Sequence, residues 1–248
     1  MARNGILFQY FEWYMQDLEN DLWIRLKDAG HLKEMGVTSV WVPPAFKATS
    51  SSDTGYGTYD LYDLGEFDQK GSVHTKYGTK AELLEAIRVL HEQGIHVYAD
   101  VVLNHKANGD EKEVFPAREV DPTDRTRAIS DPHEIEAWTR FTFPGRGDRY
   151  SSFRWSWVHF SGVDYNARDN KRAIYRIEGE NKGWSEGVTH ENGNYDYLMF
   201  NDIDYKNPEV VREIRNWALW FVRETGVDGF RLDAVKHIQD VFLRDLIR

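Results

Sequence analysis

Two short stretches concentrate side chains able to do chemistry: Asn104-His105, and Arg231 followed by Asp233 and by Lys236-His237. Each stands where a β-rich run finishes, Ile95 to Val102 before the first and Val227 to Leu232 at the second. In parallel α/β folds that rim is where active sites are assembled. An Asp after a strand is commonly a turn or helix-cap residue, and a lone His is commonly structural. The combination of both at matching rim positions points instead to a reactive carboxylate with hydrogen-bonding neighbours. Asp100 and Arg231, on adjacent parallel strands, are placed to form a buried ion pair. Such a pair holds the guanidinium rigid and biases Asp233 toward its ionised, nucleophilic form.

The elements that must position these groups alternate between helix and strand. Residues 18 to 35 carry Leu22, Leu26, Ala29 and Leu32 at helical spacing, stop at Gly36, and lead into a strand from Val37 to Val42 before Pro43-Pro44. Thr79 and Glu82 form a capping box in front of a helix with Leu83, Ile87 and Leu90 on its apolar stripe. Gly94 ends that helix, and the run from Ile95 to Val102 reads as a strand buried on both faces. A later helix is capped by Asn207, has Pro208 at its first position, and carries Val211, Ile214, Ala218, Phe221 and Val222 as its stripe up to Gly226.

Four strands are therefore expected, near residues 6 to 10, 37 to 42, 95 to 102 and 227 to 232. Strand-helix-strand units with right-handed crossovers give a parallel sheet, doubly wound or closed into a barrel. About a hundred residues of different character separate the third strand from the fourth. Phe153 to His159 alternates aromatic with other residues and predicts an antiparallel strand with one packed face, so the insert is expected to be β-rich. A complete eight-stranded barrel takes about 250 residues without insertions. The expectation is an α/β fold of (β/α)8 TIM type with only the first four units present. It divides into residues 1–103 (three units), 104–206 (a β-rich subdomain inserted after the third strand) and 207–248 (crossover helix, fourth strand and the start of a helix from Ile238 to Leu246).

Composition narrows the function classes. The 248 residues hold 31 Lys and Arg against 41 Asp and Glu, a net charge of −10, and are 41% hydrophobic. No basic footprint for a phosphate backbone is present, so nucleic acid is not an expected partner. No apolar run approaches a membrane span, so a membrane is not expected either. With no cysteine, thiol catalysis and Cys-ligated zinc are excluded. The first residues pass straight into a strand-like Ile6 to Tyr10 without the features of a secretory signal, which predicts a cytoplasmic chain.

The stretches Asp100 to His105 and Gly229 to His237 resemble two signature regions of the α-amylase family of retaining glycoside hydrolases. Gln9 to Tyr14, Tyr56 to Phe67 and Glu191 to Met199 resemble its bacterial liquefying-type branch, and the likeness runs along essentially the whole chain. The resemblance implies endo-hydrolysis of α-1,4-glucosidic bonds in starch, glycogen or maltodextrin. It implies Asp233 as the nucleophile that forms a covalent glycosyl-enzyme, with Arg231 orienting it. It also implies that His105 and His237 bind sugar hydroxyls, that Lys236 lies on the leaving-group side, and that Tyr56, with Trp13 nearby, is an aromatic platform for the sugar. Asn104, Asp196, Asp202 and the backbone carbonyl of His237 resemble the family's structural calcium site, whose hard oxygen ligands suit Ca2+.

Two departures from the family pattern carry expectations of their own. Positions 161 and 185 are serines where secreted relatives hold aspartates for an additional metal cluster, which predicts one calcium and an intracellular type of enzyme. A retaining mechanism needs a second carboxyl about 5 Å from the first. The family carries that Glu on the strand after the one bearing Asp233, and residues 234 to 248 offer only the helix acids Asp240 and Asp245. The 248-residue chain is therefore expected to resemble the N-terminal half of an α-amylase and to lack the acid/base Glu. The alternatives are a transglycosylase on the same scaffold and a non-catalytic calcium- and glucan-binding half-barrel. Unpaired sheet edges predict self-association of that half-barrel.

Overall fold

The computed structural model describes residues 4–15, 21–27 and 30–248. Ala29 and the expected first turn of the opening helix, residues 18–20, lie outside the described residues. The chain runs β1 (Leu7–Gln9), α1 (Leu22–Lys27), α2 (His31–Glu34), β2 (Ser39–Val42), β3 (Lys47–Ala48), β4 (Thr58–Asp60), α3 (Lys80–Glu92) and β5 (His96–Val101). It continues through β6 (His105–Lys106), β7 (Glu111–Glu119), β8 (His133–Arg140), β9 (Phe160–Asn166), β10 (Lys171–Ile177) and β11 (Asn201–Ile203). Helix α4 (Pro208–Thr225), β12 (Gly229–Leu232) and α5 (Asp240–Leu246) follow. Contacts group these residues into two compact units: Met1–Val102 with Pro144–Arg146 and Trp217–Leu232, and Leu103–Phe143 with Gly147–Asn216 and Asp233–Arg248.

In the first unit β1, β2, β5 and β12 form a parallel sheet in that order, and these are the four strands expected from the sequence. Val40 and Val42 of β2 and Val97, Ala99 and Val101 of β5 are buried, as the apolar runs require. Helix α3 begins where the capping box predicts. The Thr79 amide donates to Glu82 Oε2 at 2.7 Å and the Glu82 amide donates to Thr79 Oγ1 at 3.4 Å. Its buried face is Leu83, Ala86, Ile87 and Leu90. Gly94 has φ 74°, the left-handed conformation that lets the chain leave α3 and enter β5.

The stripe of α4 differs from the sequence expectation. Val210, Ile214, Trp217, Ala218 and Phe221 are buried, whereas Val211 is half-buried and Val222 is 42% exposed. Starting the stripe at Val210 lets Trp217 lie on the buried face, one place ahead of Ala218, where its Nε1 donates to the Leu61 carbonyl at 2.8 Å. A large indole with a satisfied donor outweighs a second valine in setting the helix rotation.

The second unit is built on a six-stranded antiparallel sheet in the order β6, β11, β9, β10, β7, β8. Ile135, Ala137 and Thr139 alternate inward along β8, with Phe115 and Ala117 buried on β7. The strand expected over 153–159 is not formed. Trp155 makes only an isolated bridge with Phe141, and Trp157–His159 is a 3-10 turn. Side chains take the amides that a ladder would need. The Ser156 N–H donates to His159 Nδ1 at 3.0 Å and the Trp157 N–H donates to Glu113 Oε2 at 2.8 Å. The aromatic alternation instead reflects a ring cluster of Phe153, Trp155, His159 and Phe160.

Candidate active site

Strand register places Arg231 directly opposite Asp100 in the first unit. Asp100 is fully buried, and Arg231 Nη1 donates to its two oxygens at 3.1 and 3.2 Å. Its Oδ2 also accepts from the Tyr56 hydroxyl at 2.9 Å and from Trp41 Nε1 at 3.1 Å. The guanidinium lies over the Trp41 ring, 4.8 Å from its centroid, while the Arg231 side chain keeps 38% of its surface exposed. The result is a cation pinned by carboxylate and indole while part of its surface stays exposed. Trp13 stacks on Tyr56 with centroids 5.3 Å apart and 29° between planes, and is itself 58% exposed. That pair is a rigid aromatic ledge of the kind a sugar's C–H face packs on.

Tyr56 is held by local turn chemistry. Asp53 Oδ1 accepts from the amides of Gly55 and Gly57 at 2.9 and 3.2 Å, and the Tyr77 hydroxyl donates to the Thr54 carbonyl at 2.8 Å. A Cβ on Gly57 would collide with the Asp53 carboxylate, so the turn needs glycine there. Asp233 belongs to the second unit and follows Arg231 by two positions in the sequence. The backbone then turns sharply. Ala234 has φ 53°, and Val235–His237 forms a 3-10 turn.

Within the second unit, Lys236 is half exposed and its Nζ meets Glu191 Oε2 at 2.7 Å. The Lys236 carbonyl accepts from the Thr189 amide at 3.0 Å, which joins this turn to the 189–195 loop. His237 Nδ1 lies 2.6 Å from the Tyr195 carbonyl, and the two rings meet edge to face at 4.3 Å. Burial lowers the His237 pKa and favours the neutral imidazole. The Arg125 guanidinium stacks on the other partner of this cluster, 4.2 Å from the Tyr195 centroid. His105 is buried, beside Asn104 and against the Phe200 ring at 5.4 Å.

The residues matched to a calcium site lie in this same unit. Asn104, Asp196 and Asp202 are all at most 2% exposed. Asn104 Nδ2 is 3.4 Å from Asp202 Oδ1, and Ser161 Oγ donates to Asp202 Oδ2 at 2.5 Å. Burial, and then the charge of Asp196, push the Asp202 carboxyl well above the usual carboxylate range, and burial raises Asp196 as well. Two dry carboxylates that repel one another, with an amide alongside, are a donor set that a hard cation would relieve. Among the described residues no group of three or more His, Cys, Asp or Glu side chains is placed to hold a metal ion. The neighbouring buried carboxylate Asp204 already has protein cations, with Lys182 Nζ at 3.0 Å and Lys206 Nζ at 2.9 Å.

The sequence presents Asp100 as a partner of Arg231, and Glu191 and Tyr195 only as members of the stretch Glu191 to Met199; it gives Trp41 and Arg125 no role at the site. A tryptophan at a strand end was the available signal for Trp41. The others act through loop geometry, which spacing alone does not reveal.

Residues 28–245 match the family described as the catalytic domain of alpha amylase. An alpha-amylase of Bacillus licheniformis is 56% identical over 98% of this chain and 47% of the relative. A cytoplasmic alpha-amylase of Escherichia coli K12 is 45% identical over 99% of this chain and 50% of the relative. The chain thus spans about half the length of these curated relatives. Among solved structures, the alpha-amylase of Geobacillus thermoleovorans complexed with acarbose aligns at a TM-score of 0.54, with 19% identity, over 98% of this chain and 42% of that one. That likeness and the parallel sheet identify a TIM-barrel-type fold. With a signature of the catalytic domain along most of its length, the chain belongs to the alpha-amylase family of glycoside hydrolases.

Proposed function

We propose that this chain serves the endo-hydrolysis of α-1,4-glucosidic bonds in starch, glycogen or maltodextrin by a retaining double displacement, with Asp233 as nucleophile. The observation that carries the reading is the four-way anchoring of Asp100 and Arg231 by Tyr56 and Trp41. Arg231 is a fixed cation two positions before Asp233, the carboxylate that attacks the anomeric carbon in this reading. Trp13 and Tyr56 provide the stacking ledge, His105 and His237 the hydroxyl contacts, and Lys236, poised on Glu191, the contact on the leaving-group side. The acid that protonates the leaving oxygen is a second carboxyl. Asp240 and Asp245 are poor candidates, since they are paired with Arg244 and Arg215.

Asn104, Asp196, Asp202 and the His237 carbonyl are the proposed holders of one calcium ion. When bound, the ion supplies a fixed double positive charge that neutralises the two buried carboxylates. Ser161 as a donor to Asp202, and lysines rather than metal at Asp204, support a single ion over a cluster. We read residues 1–103 and 207–248 as barrel and 104–206 as the inserted calcium-binding subdomain, supported by the change from parallel to antiparallel sheet. A cytoplasmic setting is supported by the relative named for it. No helix among the described residues is long and apolar enough to cross a membrane.

The test is reducing-end release from soluble starch, with calcium and with chelator, by an enzyme that carries the acid/base Glu together with residues 1–248, beside its Asp233→Asn variant. Turnover that disappears in Asp233→Asn is the expected result, and turnover that survives the substitution overturns the assignment. Glucan retention without turnover would instead favour the non-catalytic binding reading. Transfer products without net gain of reducing ends would favour a transglycosylase.

A further inference from the structure

The segment between β4 and α3 folds around an ammonium group. Lys47, on β3, is 1% exposed, and its Nζ donates to the carbonyls of Phe67, Ser72 and Val73 at 3.1, 2.7 and 2.5 Å. Asp63 Oδ2 lies 3.5 Å from the same nitrogen. An ammonium has three donors and no acceptor, so three carbonyls satisfy it and the carboxylate neutralises it. Backbone carbonyls gathered around one positive charge are also how proteins replace the hydration shell of a monovalent cation.

The shell is itself anchored. Asp63 Oδ1 accepts from the amides of Gly65, Glu66 and Phe67 at 3.0, 2.9 and 3.3 Å. Gln69 Nε2 bridges Asp60 and Asp63 at 3.0 and 2.9 Å, and Arg146 Nε meets Asp60 at 2.7 Å. Two cations and two carboxylates are thus balanced in the interior, each with its side chain at most 1% exposed. Desolvation lowers the Lys47 pKa against the opposing pull of Asp63, so the ammonium is costly to bury and is kept by its oxygens.

The same segment reaches the candidate site. The hairpin whose connection carries Tyr56 pairs Lys47 with Asp60 across its two strands. The folded segment then grips that connection. Tyr77 donates to the Thr54 carbonyl at 2.8 Å and Lys76 Nζ to the Ser52 carbonyl at 3.3 Å. Tyr56 in turn donates to Asp100 at 2.9 Å.

We propose that Lys47 is a positioning residue: its ammonium is a cation built into the chain, residues 61–79 fold around it, and that fold sets Tyr56 against Asp100. Its bearing on sugar binding rests on the reading of Tyr56 as a platform, whereas the ordering of the segment does not.

Two variants test it, read by thermal midpoint, by limited proteolysis within 61–79, and by near-UV circular dichroism. Lys47→Met keeps the stem and drops the charge, and Lys47→Ala opens the shell. Lys47→Met is expected to lower the midpoint by roughly 6–20 °C and to expose the segment to protease. Lys47→Ala is expected to do the same in tetramethylammonium chloride, whose cation is too large for the shell, and to regain at least half of the loss in ammonium or potassium chloride at equal ionic strength. The parent chain should not distinguish the salts. A Lys47→Met chain as stable and protease-resistant as the parent, or a Lys47→Ala chain indifferent to the cation, overturns the proposal. If Lys47→Met is recovered unfolded, the cation dependence of Lys47→Ala decides alone. Disorder of the segment without any change in glucan retention would count against Tyr56 as platform and leave the role of Lys47 standing.

Discussion

At the scale of single residues, Asp100 carries the most. It accepts from Arg231, Tyr56 and Trp41 with no exposed surface, so Asp100→Asn removes the charge on which three donors converge. Chemical denaturation is expected to show a loss of roughly 1–3 kcal/mol, below that of a fully buried pair because Arg231 is partly exposed; an unchanged midpoint would show that Asn accepts the same bonds without the charge. The partnership with Arg231 was legible in the sequence because parallel strands entered in register place the two residues opposite one another. The bonds from Tyr56 and Trp41 were not, because each depends on how far a ring reaches from a turn or a neighbouring strand. Asp228 supplies a pH test. Burial opposes ionisation there, but the Val97 amide at 2.7 Å and then His96 and His91 hold its pKa below the ordinary value. A carboxyl whose pKa is lowered in the folded chain stabilises above its unfolded pKa, about 4, and loses that contribution as pH falls through the folded value. Acid unfolding of Asp228→Asn is therefore expected to be shallower below about pH 4 than that of the parent.

At the scale of elements, local chemistry and tertiary packing can be told apart. The start of α3 was readable because Thr79 and Glu82 satisfy each other's amides within four residues, and it needs nothing distant. Thr79→Ala should cost about 1 kcal/mol by urea denaturation, with Thr79→Ser restoring most of it. An unchanged midpoint in Thr79→Ala would mean that α3 is held by its buried face alone. The segment 153–159 and the rotation of α4 were misread for the opposite reason. Glu113 is 44 positions before Trp157, and Leu61 is 156 before Trp217, so the partners that decided both local structures were far away in the chain. Periodicity reports which residues are apolar, and long-range donors and acceptors decide which of them the backbone turns inward.

At the scale of the whole molecule, the parallel sheet has β1 and β12 at its edges. Ile6, Leu7 and Phe8 on or beside β1 are 48, 58 and 38% exposed, a short apolar edge of the sheet among the described residues. The 248-residue chain is expected to self-associate with concentration by light scattering, and Leu7→Lys to weaken that association. A concentration-independent monomer would show that the edge is protected. Calcium gives a second expectation: the thermal midpoint should rise with the ion by an amount equivalent to about 2.7 kcal/mol at a hundredfold excess over its dissociation constant, and Asp202→Asn should abolish the rise. The contact between Asp100 and Arg231, 131 positions apart, also sets a clock on synthesis. A ribosome adds about 5–20 residues per second. For roughly 7 to 26 seconds after Asp100 is made, its arginine does not yet exist. During that interval β5 lacks one neighbour and Asp100 lacks its cation, so the nascent chain carries an open sheet edge beside a buried carboxylate. A holding chaperone that occupies that edge during translation should raise the yield of folded chain more than one supplied after release.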